Sequence, residues 1–396
     1  MPRRHCMVVD NTWPDFRVER ESRALLAAGW EVDVVCLGEP GEPAVEQQDG
    51  LAIHRLPVRR RRGEGIRVQL LEYVSYLLRA GLRVLRLDRA RRYASVQVHN
   101  VPDFLVFAGI GPRLRGARLI LDLHDLMPEF FASRIGSDLG HPLVRLVRLQ
   151  ERLSCAVADR VITVTDLWRD VLVSRGIPAR KLSVVMNLPD PGLIPPLAAD
   201  AERREPDGPF TVLYHGTLTH RYGVDRVLRA VAEVRRDRDV RVVIHGRGEA
   251  LEDLRELGDR LRLGDAVEFS TRFMPTGELP ALLARAHVGV VAYRRDVFTD
   301  GILPTKLLEY AALGIPTIVG RTPVIERYFG PDSVRLVDGD DVDGIAAAIR
   351  ELASDPALRA RLSHQARAVA ARHTWQDEAA RYVRLLEGLT SGPGRP

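Results

Sequence analysis

The chain has 396 residues, 45% apolar and 28% charged, which is too long for one hydrophobic core and has the balance of a globular protein of two domains. Three scattered cysteines, Cys6, Cys36 and Cys155, exclude a disulfide framework and read as buried thiols, and no run of about 18 apolar residues could span a bilayer. Much of the net charge of +5 lies in residues 59–92, without the stacking aromatics or binding module that a nucleic-acid partner would require. With no secretory leader pattern at its start, a cytoplasmic location is expected.

Residues 5–10 form a short apolar run, and 31–36, 51–56, 95–99, 119–124 and 160–164 read as further strands. Helical periodicity fills the intervals at 17–28, 66–86, 103–115 and 142–158. Strand alternating with helix predicts a parallel, doubly wound sheet, which takes ligands beyond the carboxyl ends of its strands. That rim carries Asp10 to Arg17, then His99-Asn-Val-Pro-Asp103, then His124-Asp-Leu-Met-Pro-Glu129. Two histidines and several acids on one rim suit a polar substrate; they equally suit a structural network. The helix at 66–86 mixes leucines, tyrosines and arginines. Such a pattern fits either an ordinary surface helix or contact with anionic lipid at the inner face of the membrane through residues 59–92.

Prolines accumulate from Asn187 onward and the periodicity lapses, which marks a linker at 191–209. A second alternating series follows, with strands at 210–215, 240–245, 267–269 and 288–293. The loop from Gly216 to Gly223 feeds a helix and could bring backbone N–H groups and Arg221 to a phosphate. No Gly-x-Gly-x-x-Gly spacing is present.

The stretch from Asp300 to Val319 predicts a loop, a short helix, a stop and a buried strand. Pro304 suits the first helical position and Gly314 the left-handed residue past the end. Leu307, Leu308, Ala311 and Ala312 fall on one side of that helix, with Lys306, Glu309 and Tyr310 on the other. Lys306 beside a helix N-terminus could hold a diphosphate, and Glu309 the hydroxyls of a ribose. The alternative is an i,i+3 surface ion pair worth roughly 0.2–0.5 kcal/mol. Lys181 and Lys306 are the only lysines in an arginine-rich chain, which favours a need for a compact point charge at 306. Residues 342–372 read as helical, 373–389 as a last amphipathic helix and 390–396 as a disordered tail.

In their order and spacing these segments resemble the retaining GT-B glycosyltransferases of family 4 (group 1), over nearly the whole chain. The run Leu303-Pro-Thr-Lys-Leu-Leu-Glu-Tyr-Ala-Ala-Leu-Gly-Ile-Pro316 resembles that of the subgroup with a Leu-Pro-x-Lys loop. The resemblance implies an α/β chain of two doubly wound Rossmann-like domains facing across a cleft. Residues 1–190 would bind the acceptor and 210–372 the nucleotide-sugar, and the helix at 373–389 would cross back to the first domain.

The implied reaction moves a sugar, with retention, from a nucleotide diphosphate donor, a UDP-sugar by default. The acceptor would be a hydroxyl of a sugar, of a lipid-linked or cell-surface glycan, or of a small molecule. No Asp-x-Asp motif marks a metal site, so neither metal nor cofactor is expected. Glu309 matches the glutamate that holds the donor ribose; Lys306 with Gly301, Ile302, Leu303, Pro304 and Thr305 would face the diphosphate and sugar. Gly216, Thr217 and Arg221 belong to the first donor loop, Gly246 to the second, and Arg272 and Phe273 to the base-binding segment. His124 matches the active-site histidine, with Asp125 or Asp15 orienting the acceptor and Arg17, Asn100, Asp103 and Glu129 on the acceptor side. Gly301 stands where the family has its first signature glutamate, so Asp300 or the loop backbone would take that contact. A nucleotide-sugar isomerase or hydrolase on the same fold, and a non-catalytic nucleotide-sugar-binding partner, are the competing readings.

Overall fold

A computed structural model describes residues 3–58, 65–192, 194–196, 205–272, 274 and 276–391. The basic run at 59–62, linker residues 193 and 197–204, Phe273 and tail residues 392–396 therefore lie outside the described residues. The chain divides into two compact units, one of Met1–Asn187 with Gln376–Pro396, the other of Leu188–Trp375.

The first unit holds an eight-stranded sheet. Its strands are β1 (Arg4–Thr12), β2 (Glu31–Leu37), β3 (Val45–Gln48), β4 (Leu51–Leu56), β5 (Ser95–His99), β6 (Arg118–Leu123), β7 (Arg160–Thr163) and β8 (Leu182–Val184). They lie in the order β3-β4-β2-β1-β5-β6-β7-β8, all neighbours parallel except the antiparallel β3–β4 hairpin at one edge. Helices on both faces explain why Cys6, Met7 and Val8 are consecutive and all fully buried. The hairpin strand β3 carries no apolar alternation (Val-Glu-Gln-Gln, all exposed), so the sequence offered nothing to read there.

One face of this sheet packs Val18 and Leu25 of the helix Phe16–Ala27 together with Tyr382 and Leu386 of the last helix, Trp375–Ser391. Asp15 caps the first of these, accepting from the backbone N–H groups of Arg17 and Val18. The last helix thus continues through residues 390 and 391, which the sequence assigned to a tail. The three cysteines are free and buried, and burial pushes the Cys36 thiol up to about 12.

The second unit holds six parallel strands: β9 (Phe210–His215), β10 (Val240–His245), β11 (Val267–Ser270), β12 (Val288–Val291), β13 (Thr317–Gly320) and β14 (Arg335–Val337). Their order, β11-β10-β9-β12-β13-β14, reverses direction between β9 and β12, and ligands enter such sheets at that reversal. The helical stretch expected at 342–372 is broken. Pro356 stops it, and Asp355 caps the second piece by accepting from the N–H of Leu358. Among the described residues, no helix is long and apolar enough to cross a membrane.

Candidate functional site

In the second unit the helix Thr305–Ala312 begins beside the reversal point. Pro304 is its N-cap rather than its first helical residue, and the helix ends in a Schellman turn. There Gly314 sits at φ +63° while the Ile315 N–H donates to the Tyr310 carbonyl over 2.8 Å. The side of the helix that carries Lys306, Glu309 and Tyr310 is as covered as its apolar side. Lys306, Glu309 and Tyr310 are all buried, because the polar side of the helix faces the end of the sheet rather than solvent.

The Lys306 ammonium donates to the Tyr214 hydroxyl over 2.9 Å and lies 4.1, 5.1 and 5.3 Å from the ring centres of Tyr214, Tyr222 and Tyr293. Tyr222 and Tyr293 are themselves stacked, 4.3 Å apart at 14°. This is a cation held in an aromatic cage. Burial lowers the lysine to about 7 against the upward pull of Glu309.

Glu309 turns the other way. Its Oε2 lies 2.6 Å from Nε2 of His215, the last residue of β9, and Nδ1 of that ring faces the Tyr310 hydroxyl at 2.9 Å. Tyr310 in turn donates to the Leu213 carbonyl. Lys306 and Glu309 therefore do not form the surface pair that helix spacing permits; each is fixed by a different partner from β9. His215, Tyr214 and Tyr293 are candidate site residues that the sequence reading did not single out.

Two glycine loops close over the ends of β9 and β10. A Cβ on Gly216 would meet the Lys306 ammonium at 3.2 Å, and one on Gly246 would lie 1.9 Å from the Gly216 carbonyl oxygen. The backbone there can approach only because neither residue has a side chain. Thr217 is exposed beside them. Arg221 is half-buried with its guanidinium over the Phe298 ring. Ile302 and Pro304 line a shallow pocket with Tyr293, Thr322 and Ile325. Leu303 and Thr305 are half-buried, and Gly301 is buried. Asp300 has both oxygens on Arg295, at 3.1 and 3.0 Å. Arg272 is exposed and paired with Glu278 at 2.7 Å.

The corresponding rim of the first unit is a polar network around Asp122. Arg17 grips that carboxylate with Nε and Nη2, at 3.0 and 3.1 Å, and also reaches Glu21 and the Val185 carbonyl. Gln97 bridges Asp122 and Glu21, while Tyr382 donates to Gln97. Burial alone would raise Asp122; Arg17, then His124, outweigh it and hold the carboxyl well below its ordinary range. His99 Nδ1 and His124 Nε2 are 2.9 Å apart, and both lie near Asp122. His124 and Asp125 are half-buried at the rim. Asp15 is half-buried too, and it is held low by His124 and Asn11 against the opposing effect of burial.

Four residues expected on the acceptor side are buried and engaged with neighbouring side chains or backbone. Arg17 is buried beneath the rim as the counter-ion of Asp122. Asn100 uses its amide to clamp the chain, donating to Asp103 and the Asp125 carbonyl while accepting from the His124 N–H. Asp103 is fully buried, and desolvation followed by Glu151 pushes it up to about 8. Glu129 is buried against Arg175, which also binds Glu151. Charged and amide side chains at strand ends look alike in sequence whether they face ligand or satisfy one another.

Among the described residues, His99, Asp122 and His124 form a set of three whose ligand atoms lie within 4.8 Å, a spacing a metal ion would accept. A divalent ion there would stand against a guanidinium already bidentate on the same carboxylate.

The family model for glycosyl transferases group 1 matches residues 198–369, and that for the glycosyl transferase 4-like domain matches 15–187. The chain is 32% identical over 303 residues to a GDP-mannose-dependent alpha-(1-6)-phosphatidylinositol monomannoside mannosyltransferase of Mycolicibacterium smegmatis, covering 70% of this chain and 73% of that protein. It is 26% identical over 336 residues to a glycogen synthase of Mycobacterium tuberculosis, covering 81% and 75%. In structure it resembles sucrose-phosphate synthase from Thermosynechococcus elongatus, with TM-score 0.76 and 18% identity over 98% of this chain and all of that one. It also resembles Anabaena HepE in complex with UDP, with TM-score 0.70 and 14% identity over 97% and 100%.

Proposed function

Because the chain belongs to the group 1 glycosyl transferases and has their GT-B fold, we propose that it moves a hexose from a nucleotide diphosphate donor to a hydroxyl acceptor, with retention and without a metal. The observation that carries the reading is the buried pair on one helix beside the β9–β12 reversal, Lys306 in its tyrosine cage and Glu309 on His215. A diphosphate entering against Gly216 restores to Lys306 the anionic partner that burial denies it. The first turn of the helix adds its N-terminal dipole. In a retaining transfer the leaving diphosphate is stabilised on the face from which the acceptor attacks, so a preformed cation there is the main electrostatic contribution. Glu309, fixed by His215, takes the ribose hydroxyls.

The donor we assign is GDP-mannose. The expectation of a UDP-sugar rested on resemblance alone, whereas a mannosyltransferase 32% identical to this chain is named for GDP-mannose. His124, Asp125 and Asp15 are assigned to the acceptor side, and the acceptor to a lipid-linked or other glycan hydroxyl. A cytoplasmic site of action belongs to the same reading.

Calorimetric titration with GDP and with UDP, repeated with Glu309→Ala, tests the donor site. GDP should bind more tightly than UDP, and the variant should lose at least about tenfold in affinity, the worth of a hydrogen bond to a charged group. Binding of neither nucleotide to folded protein overturns the donor site. Release of free nucleotide from GDP-mannose at turnover rate without acceptor would replace transfer by hydrolysis.

A further inference from the structure

We propose that the outward face of the helices Ile66–Arg91 and Pro142–Val157 is a docking surface for an anionic lipid bilayer. The second helix is built inside out. Its buried positions are Val144, Glu151, Ser154 and Cys155, whereas Leu143, Leu146, Leu149 and Leu153 are 51–62% exposed. The inversion has a cause within the unit. Arg175 holds Glu151 and Glu129 beneath the helix, so the inner face is spent on an ion network and the leucines are left outside. At 100° per residue those leucines centre opposite the buried face, and the exposed Arg145, Arg148 and Arg152 flank them on one side.

The longer helix repeats the pattern. Leu71, Val74, Leu78 and Leu82 recur at helical spacing with 39–69% exposure, accompanied by exposed Arg67 and Arg86. Both helices pack on the turn Asp103–Gly109. The intervening helix Met127–Ile135 packs on the second and ties to the first through Arg134 and Gln69, at 2.9 Å. The two helices thus belong to one layer on one side of the first unit's sheet, and each carries its leucine row on its exposed face. Acids are withdrawn from it: Glu151 and Asp88 are buried on arginines, and Glu72 is half-buried.

Charge selects the occupant. A second copy meeting this face through a two-fold axis would set arginine against arginine. A bilayer with anionic headgroups instead accepts the leucines at the acyl boundary and the arginines at the phosphates, the arrangement of an interfacial amphipathic helix. Nothing in this surface depends on the transferase reading, since the donor site lies in the other unit.

The test is co-sedimentation of the full chain with vesicles of phosphatidylcholine alone and of phosphatidylcholine mixed with phosphatidylglycerol. Binding is expected to the mixed vesicles only, and to weaken with salt. The triple variant Arg145→Gln, Arg148→Gln, Arg152→Gln should lower partitioning by about fivefold per arginine, and Leu146→Gln, Leu149→Gln, Leu153→Gln should abolish it. All six side chains are exposed, and unchanged thermal unfolding and GDP titration would show both variants folded. No binding to mixed vesicles, or equal binding by both variants, overturns the proposal. So does light scattering that finds a wild-type dimer which the leucine variant dissociates, since a second copy would then own the face.

Discussion

The Nζ of Lys306 donates to the Tyr214 hydroxyl over 2.9 Å and lies 4.1 Å from the centre of that ring, so the lysine of the helix Thr305–Ala312 is held among aromatic rings rather than on a carboxylate. Burial lowers that lysine to about 7 against the pull of Glu309, and an anion placed beside it would raise it again.

That storage has a pH signature. Lys306 sits at about 7, below the ordinary lysine value, so between pH 7 and roughly 10.4 the unfolded chain holds a proton that the folded protein has released. Stability from this group therefore rises with pH across that window and is lost as pH falls through 7, where a charge must be buried. Binding of a diphosphate at Lys306, as proposed, would reverse the release. At pH 8, calorimetry of GDP binding in two buffers of different ionisation heat should show uptake approaching one proton. Affinity should fall by up to about tenfold per pH unit above 7. Lys306→Met should remove both effects.

His215 is expected to matter through Glu309. His215→Ala leaves that buried carboxylate without its 2.6 Å partner. GDP affinity should drop by roughly tenfold, with a cost of about 1–3 kcal/mol in stability. A variant that binds GDP as tightly as the parent would remove His215 from the site.

The central helix, its Gly314 stop and the alternating strands were legible because each rests on local rules: periodicity, a left-handed residue, apolar runs between turns. The tyrosine cage was not, since Tyr214, Tyr222 and Tyr293 meet only when β9, its following loop and the end of β12 are aligned. Burial of Arg17, Asn100, Asp103 and Glu129 was equally hidden, because polar residues that satisfy one another leave no period. The helix Pro142–Val157 shows the same limit in reverse. Its leucines would be placed inside by any hydrophobicity argument, and a salt bridge from Arg175, far along the chain, turns them out.

Arg17 should be irreplaceable for stability. Removing it strands Asp122 and Glu21 as buried acids, and Arg17→Met is expected to cost about 3–5 kcal/mol in denaturant unfolding of the first unit. Arg17→Lys should recover little, because an ammonium cannot reproduce the bidentate grip. Rescue by lysine would mean that charge alone suffices.

Asp103 should behave oppositely. Its carboxyl, pushed up to about 8, keeps a proton that the unfolded chain loses above roughly pH 3.9. The stability it contributes is whole below that value and is lost as pH rises towards 8. Asp103→Asn keeps an acceptor for the Asn100 amide and removes the buried charge. A gain of about 1 kcal/mol or more, roughly 2–4 °C, is expected at pH 8, and a smaller one at pH 5. An equal shift at both pH values would show that the proton is not involved.

The second unit is an insertion within the first: the chain leaves the eight-stranded sheet after Asn187 and rejoins it at Gln376. All eight strands have been synthesised by residue 184, yet the sheet's hydrophobic face still lacks Tyr382 and Leu386. During synthesis the inserted unit can complete its core first, while the sheet made earliest waits uncovered for the last helix to be translated. Nascent chains stalled before that helix should therefore expose the first unit to proteases and chaperones while the second is already resistant, and loss of the final turns would injure the part of the protein made first.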